Sequence, residues 1–312
     1  MGLLIDGQWQ SQDIRRSNAA GEFVRNDATF RDWIGRQFPI ESKRYHLFVN
    51  EGCPWAYRTI LYRSIKNLED IVSISYTEPA MGKQGWSFGE TPDDLLNCSH
   101  IHEIYQLADT TFSGRATVPI LWDKHRATIV NNESADIIRM FNKVFDDFEG
   151  VDAGDYCPTE KINEIEGLNQ LIYDDINNGV YRCGFAQSQS AYDDAFDRLF
   201  SRLDLLDDSL RSQRFLLGDH ITEPDWRLFA TLVRFDLAYH GQFKCNRNLL
   251  TDYEFLWPYV RDLYQQQKVA VTVNEHAIRG IYYGSRAPGI LPRGPKVDFG
   301  APHDRGKISR SD

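Results

Sequence analysis

Tyr45-His46-Leu47-Phe48-Val49-Asn50-Glu51-Gly52-Cys53-Pro54-Trp55-Ala56-Tyr57-Arg58-Thr59 is the stretch on which the fold of this chain turns. Tyr45 to Val49 is a short apolar run expected as a β-strand, and Trp55 to Lys66 reads as a helix. Pro54 has no backbone N–H and a fixed φ, which suits the first helical position and makes Cys53 the N-cap. A cysteine there faces helix-terminal N–H groups and the positive end of the helix dipole. That setting favours thiolate and lowers the thiol pKa below its ordinary value of about 8.5. The alternative is an inert buried cysteine that only caps a helix. Position 56 is alanine, so no Cys-x-x-Cys disulfide can close, and an oxidised intermediate at Cys53 needs a thiol from elsewhere.

Outward from this stretch, Ile71 to Tyr76 is rich in β-branched residues and reads as a second strand. Strand, helix and strand at this spacing form a βαβ unit with parallel strands and a right-handed crossover. A long turn-rich segment follows from Thr77 to Gly114, anchored by Trp86 and Phe88, with a short helix over His102 to Ala108. Val118 to Asp123 and Ala127 to Val130 read as a hairpin through Lys124 and His125, and Glu133 to Phe141 begins a helix. This order resembles a thioredoxin-like fold. Beyond a linker (150–158), Ile162 to Asn177, Ser190 to Leu210 and Asp225 to Tyr239 carry helical periodicity. Thr222 and Asp225 form a capping box, with Ile221 and Trp226 at the staple positions, a helix start that stabilises the fold and does no chemistry. The expected organisation is an extension (1–42), a thioredoxin-like α/β domain (43–149), the linker, an all-helical domain (159–281) and a non-helical tail (282–312).

The chain has 312 residues, enough for two domains, with 42% apolar and 26% charged residues. A balance of 35 basic against 45 acidic side chains gives −10, which argues against nucleic acid or an anionic membrane as partner. Five cysteines (53, 98, 157, 183, 245) without paired spacing fit a reducing compartment rather than a disulfide framework. No apolar run has the length of a membrane span and the first residues lack a secretory signal, so a cytosolic protein is expected. His100 and His102 lack a supporting ligand cluster, so solvated or capping roles are expected and no metal.

Several motifs narrow the reading. Cys53-Pro54-Trp55-Ala56, Gly85-Trp86-Ser87-Phe88, Tyr105 with Ser113-Gly114-Arg115, Thr117-Val118-Pro119, Asn132 through Arg139, Asn177-Asn178-Gly179-Val180-Tyr181 and Phe243-Lys244-Cys245 occur in both halves. Together they resemble the glutathionyl-hydroquinone reductases, or xi-class glutathione transferases, over about residues 40 to 300. The resemblance implies glutathione transferase architecture, homodimerisation and one reaction: a glutathionyl-hydroquinone plus glutathione gives hydroquinone and glutathione disulfide. Cys53 attacks the sulfur of the conjugate and forms a mixed disulfide with glutathione, which a second glutathione resolves.

The same resemblance distributes the other roles. Val118, before an expected cis Pro119, pairs its backbone with glutathione, although a lone Val-Pro also reads as an ordinary strand start. Ser134 and its N–H bind the γ-glutamyl carboxylate and Glu133 accepts from the α-ammonium; alone, Ser134 reads as a plain N-cap. Arg115 is the candidate partner of a glutathione carboxylate, and Trp86 the flat wall beside the conjugate, where an isolated tryptophan is otherwise a packing anchor. Tyr181, Tyr239 and Tyr282 line the aromatic-substrate side, with Tyr181 and Tyr239 as proton donors or quinol ligands; among 15 tyrosines, core packing is the default.

Tyr57 and Ile281 stand where this group has histidine, Ser285-Arg286 replaces Ser-His, and Ala287 to Pro292 is shortened. These departures concern the outer substrate pocket and the identity of the thiol. An omega-like thiol transferase or dehydroascorbate reductase needs only the monothiol site, and a non-catalytic binding module is the rival from another class.

Overall fold

The computed structural model of the chain describes residues 2–11, 17–285 and 289–308, so Arg286, Ala287 and Pro288 lie outside the described residues. The chain packs as two compact units: Met1–Arg15, Asp27–Gly154 and Val271–Pro292 in unit 1, and Arg16–Asn26, Asp155–Ala270 and Arg293–Asp312 in unit 2.

Unit 1 holds a two-stranded sheet, β1 (Leu3–Ile5) and β2 (Gln8–Gln10), and a four-stranded sheet in the order β4-β3-β5-β6. β3 (Tyr45–Val49) runs parallel to β4 (Ser73–Tyr76) and antiparallel to β5 (Ile120–Asp123), which pairs antiparallel with β6 (Thr128–Asn131). β3 is buried along its whole length, as its continuous apolar run requires. The crossover from β3 to β4 is α1 (Pro54–Ile65), packed beside α3 (Ser134–Lys143), while α2 (Ile101–Ala108) lies near β6. β4 begins at Ser73 rather than Ile71, because the Ile71 and Val72 amides are turned back onto the Leu68 carbonyl (3.0 and 2.9 Å).

Unit 2 contains α4 (Ile162–Ile172), α5 (Gly179–Phe185), α6 (Gln189–Ser209), α7 (Glu223–Leu232), the single turn α8 (His240–Gln242) and α9 (Leu256–Tyr264). The expected capping box is present: Asp225 Oδ2 accepts from the Thr222 amide (2.8 Å) and hydroxyl (3.0 Å). Two expected helices are interrupted by π turns, Tyr173–Asn177 after α4 and Phe235–Tyr239 after α7. Apolar periodicity passes through a wider turn without a visible break, which is why residues alone show one continuous helix.

Two expected boundaries differ from this packing. The 1–42 extension is divided, with 17–26 in unit 2 and the rest of its described residues in unit 1. Residues 271–281, read as part of the helical domain, return to unit 1 as α10 (Glu275–Arg279) and a π turn (Gly280–Gly284), so the segment after Tyr282 does not start as a plain tail. The absent side chain of Gly52 permits this return. Gly52 lies so close to α10 that an added Cβ would sit 2.3 Å from the Ala277 carbonyl oxygen.

Candidate active site

Cys53 is the N-cap of α1, in extended conformation (φ −72, ψ 122), followed by Pro54 at the helix start. The helical ladder begins with the Tyr57 amide on the Cys53 carbonyl (2.9 Å), so the earlier amides of Trp55 and Ala56 point out of the helix end. The side chain of the wholly buried Asn50 shapes the preceding turn. Its Oδ1 accepts from the Gly52 and Cys53 amides (2.9 and 3.1 Å), and its Nδ2 donates to Thr77 Oγ1 and the Glu78 carbonyl (3.0 and 2.8 Å). Cys53 is 6% exposed, and its sulfur lies 4.0 Å from the Val118 carbonyl oxygen. The Val118–Pro119 bond is cis, as expected.

Glu133 and Ser134 stand at the head of α3. Glu133, not Ser134, is the N-cap: its carboxylate accepts from the Ala135 amide (3.0 Å), and Ser134 is the first helical residue. The longer carboxylate reaches over the first turn, which leaves the Ser134 hydroxyl 3.5 Å from a Glu133 oxygen and 3.5 Å from Arg58 Nη1. Arg58 is 2% exposed and lies over the Trp55 ring (4.8 Å to the centroid), one turn along the helix that Cys53 caps. Residue patterning missed both Asn50 and Arg58. The available signals were an asparagine where a turn meets a helix start and a charged residue on the buried face of α1.

Tyr105 braces the loop that carries Val118. Its hydroxyl donates to the Thr117 carbonyl (3.0 Å) and accepts from Asn132 Nδ2 (3.0 Å), and burial pushes its pKa up. Arg115 is partly exposed, between Gly114, which pairs with Leu4, and this brace. Trp86 is buried, and its carbonyl accepts from the Ile101 amide (3.0 Å) at the start of α2. Tyr282 is buried in unit 1 within the Gly280–Gly284 π turn. Tyr57 hydrogen-bonds Thr272 Oγ1 (2.9 Å), and Asn274 Nδ2 donates to Glu51 (2.9 Å). Cys53, Val118, Glu133, Ser134, Trp86, Arg115 and Tyr282 therefore all belong to unit 1.

Tyr181 and Tyr239 belong to unit 2 and lie together, with ring centroids 6.3 Å apart. Phe243 packs against both, edge-on to Tyr181 (5.3 Å) and stacked on Tyr239 (5.4 Å). Among the other cysteines, Cys98 is held as a thiol: burial, then Glu103 and Asp93, push its pKa up to about 11. Cys245 is likewise raised, first by burial and then by its neighbour Cys183. His100 caps α2 in a capping box with Glu103, one of its expected roles. Its ring stacks on that of His102 at 14°, and, against the expectation that these histidines lack a ligand cluster, the ligand atoms of His100, His102 and Glu103 lie within 4.8 Å of one another.

Known families agree with this architecture. Residues 52–144 match the family described as Glutathione S-transferase, N-terminal domain, and residues 189–262 its C-terminal domain. The chain is 44% identical to a glutathionyl-hydroquinone reductase, PcpF, of Sphingobium chlorophenolicum, over 95% of this chain and 96% of that protein. It is 43% identical to glutathionyl-hydroquinone reductase YqjG of Escherichia coli, over 98% of both. The glutathione-bound structure of the latter superposes with a TM-score of 0.89, at 42% identity over 98% of this chain and 99% of that one. A Xi-class enzyme of Natrialba magadii gives 0.90, at 40% identity over 100% and 98%. The fold and the capped thiol thus define a glutathione transferase. Within that superfamily the chain belongs to the Xi class, the glutathionyl-hydroquinone reductases.

Proposed function

We propose that this protein removes glutathione from glutathionyl-hydroquinones, with glutathione as co-substrate. Cys53 thiolate attacks the thioether sulfur, forming the Cys53–glutathione disulfide. The carbon–sulfur bond breaks, and its electron pair, with a proton, becomes the new C–H bond of the hydroquinone. The thiolate of a second glutathione then attacks the mixed disulfide, releasing glutathione disulfide and Cys53 thiolate. The observation that carries this reading is Cys53 at the head of α1, 4.0 Å from the Val118 carbonyl, with alanine where an internal resolving thiol would stand.

The remaining roles in this reading are binding and proton delivery. The Val118 backbone pairs with the cysteinyl unit of glutathione. Ser134 and Glu133 take the two ends of the γ-glutamyl group, Arg115 takes a carboxylate, and Trp86 flanks the conjugate. Tyr181 and Tyr239 hold the quinol oxygen and deliver the proton to the aromatic carbon, with Tyr282 beside the aromatic group. The protein acts as a cytoplasmic homodimer. Its five free cysteines support a reducing compartment, and light scattering tests the dimer.

The deciding experiment offers the purified protein a glutathionyl-hydroquinone and excess glutathione, and follows free hydroquinone together with the mass of the Cys53 adduct. Hydroquinone release with a transient glutathione adduct is the expected result. Turnover of dehydroascorbate or a small mixed disulfide, without hydroquinone release, points to the omega-like reaction instead. Bound glutathione with no turnover of any thiol substrate identifies a binding module.

A further inference from the structure

The N-terminal residues 17–26 form a strap on unit 2. Asn18 Oδ1 accepts from the Ala20 and Glu22 amides (3.0 Å each), closing a tight turn. That turn is seated on the α5–α6 junction: the Gln187 amide donates to the Gly21 carbonyl (2.8 Å) and Ser188 Oγ to the Ala20 carbonyl (2.8 Å). Gly21 has φ +83, and a Cβ there would lie 3.0 Å from the Ser188 nitrogen, so the position requires glycine.

The residues that leave this anchor land on Tyr181. Phe23 stacks on the Tyr181 ring at 6.1 Å and on Phe185 at 5.5 Å. The Arg25 guanidinium lies 4.9 Å from the Tyr181 centroid and 5.3 Å from that of Phe23. Its Nε donates to Asn178 Oδ1 (3.0 Å), one residue before α5 begins. A planar guanidinium is attracted to an aromatic face, so it holds the ring plane.

We propose that Arg25 is the positioning residue of Tyr181 in hydroquinone release, delivered by a strap anchored to the α5–α6 junction. The proposal rests on the reading of Tyr181 as a quinol ligand or proton donor. Through Asn178 and the ring face Arg25 fixes the helix start and the side chain together, so the phenol is held in one orientation when the aromatic carbon departs. Glutathione resolution of the Cys53 disulfide involves no aromatic group and gains nothing from this contact.

The two half-reactions separate positioning from a merely structural role. Full-length protein carrying Arg25→Met, Arg25→Lys, Tyr181→Phe or both Arg25→Met and Tyr181→Phe is followed by rapid quench. The first step is single-turnover hydroquinone release without added glutathione. The second is resolution by glutathione of a Cys53–glutathione disulfide preformed with glutathione disulfide. Arg25→Met is expected to slow the first step about 3- to 30-fold, the range of a partly buried cation–ring contact, and the second by less than about 2-fold. Arg25→Lys, which keeps the charge and loses the planar fork, falls between, and carries the test if the methionine variant does not fold. In the Tyr181→Phe background, Arg25→Met adds less than about 2-fold. Equal slowing of both steps overturns the proposal, as does an undiminished Arg25→Met effect in that background. If Tyr181→Phe slows release and neither Arg25 variant does, only the positioning role falls. If Tyr181→Phe leaves release unchanged, the tyrosine assignment falls with it.

Discussion

Around Cys53, unit 1 is built from backbone and short polar side chains: the Asn50 turn, the Val118 carbonyl, and the Glu133–Ser134 helix start. Around Tyr181, unit 2 uses rings and one cation, with Phe23, Phe243, Tyr239 and Arg25 against the phenol. The first arrangement is held by directional bonds, some as local as Asn50 to Gly52 and Cys53 and others reaching Thr77, Glu78 and Val118, the second by packing of side chains. Directional bonds fix a sulfur and a peptide-like ligand to one geometry. Ring packing tolerates aromatic groups of differing outline. Under the roles proposed above, the contrast suits a constant glutathione portion and a variable quinol.

Substitutions can break or sharpen this contrast. The largest effect is expected for Cys53→Ser, which lowers hydroquinone release by roughly 10³-fold or more with an unchanged melting temperature; Cys245→Ser stays within about 2-fold. Asn50→Ala removes the bonds that shape the turn before the thiol and is expected to cost about 2–4 kcal/mol in urea unfolding, with slower alkylation of Cys53 by iodoacetamide. Should stability fall while alkylation is unchanged, the turn does not set the thiol's reactivity.

Acid separates the halves by a smaller margin. Burial pushes the His46 pKa in unit 1 down to about 4, while its ring hydrogen-bonds Ser73 and Ser75 (2.7 and 3.0 Å). Its folded value lies below its unfolded value near 6.5, so its stabilisation is full above pH 6.5 and is lost as pH falls toward 4, about 3 kcal/mol at most. In unit 2, burial raises the pKa of Asp225 despite the amide, Thr222 and Tyr259 hydrogen bonds it accepts, so its stabilisation is greatest in acid and declines as pH rises through the raised value. Hydrogen exchange at pH 7 and pH 4.5 is therefore expected to show unit 1 loosening before unit 2, and His46→Asn to reduce the difference. The smallest effect belongs to Tyr239→Phe, expected to slow hydroquinone release about 10-fold, or about 1.4 kcal/mol, and to leave glutathione resolution unchanged.

Legibility in the sequence follows the same division. β3, α1 and the capped cysteine are encoded within a single local stretch, where Pro54 and the apolar run speak for themselves. The Thr222–Asp225 start is equally local. Arg58 was hidden because a charged residue at a buried helix position gives no sign of its partner until α3 lies beside α1. Arg25 was hidden more deeply, since its contact with Asn178 spans 153 positions of chain and no periodicity encodes it. The π turns escaped for the opposite reason: they alter hydrogen bonding while leaving the apolar pattern readable as helix.

The close approach of Gly52 to Ala277 also bears on how the protein can be divided. The thiol loop and the first turn of α1 are backed by Thr272, Asn274 and Ala277, residues translated after helices α4 to α9. A gene fragment ending at the linker encodes the sheet and the cysteine but not the wall behind them. During synthesis, the thiol loop reaches its final support only after residues 272–277 have emerged.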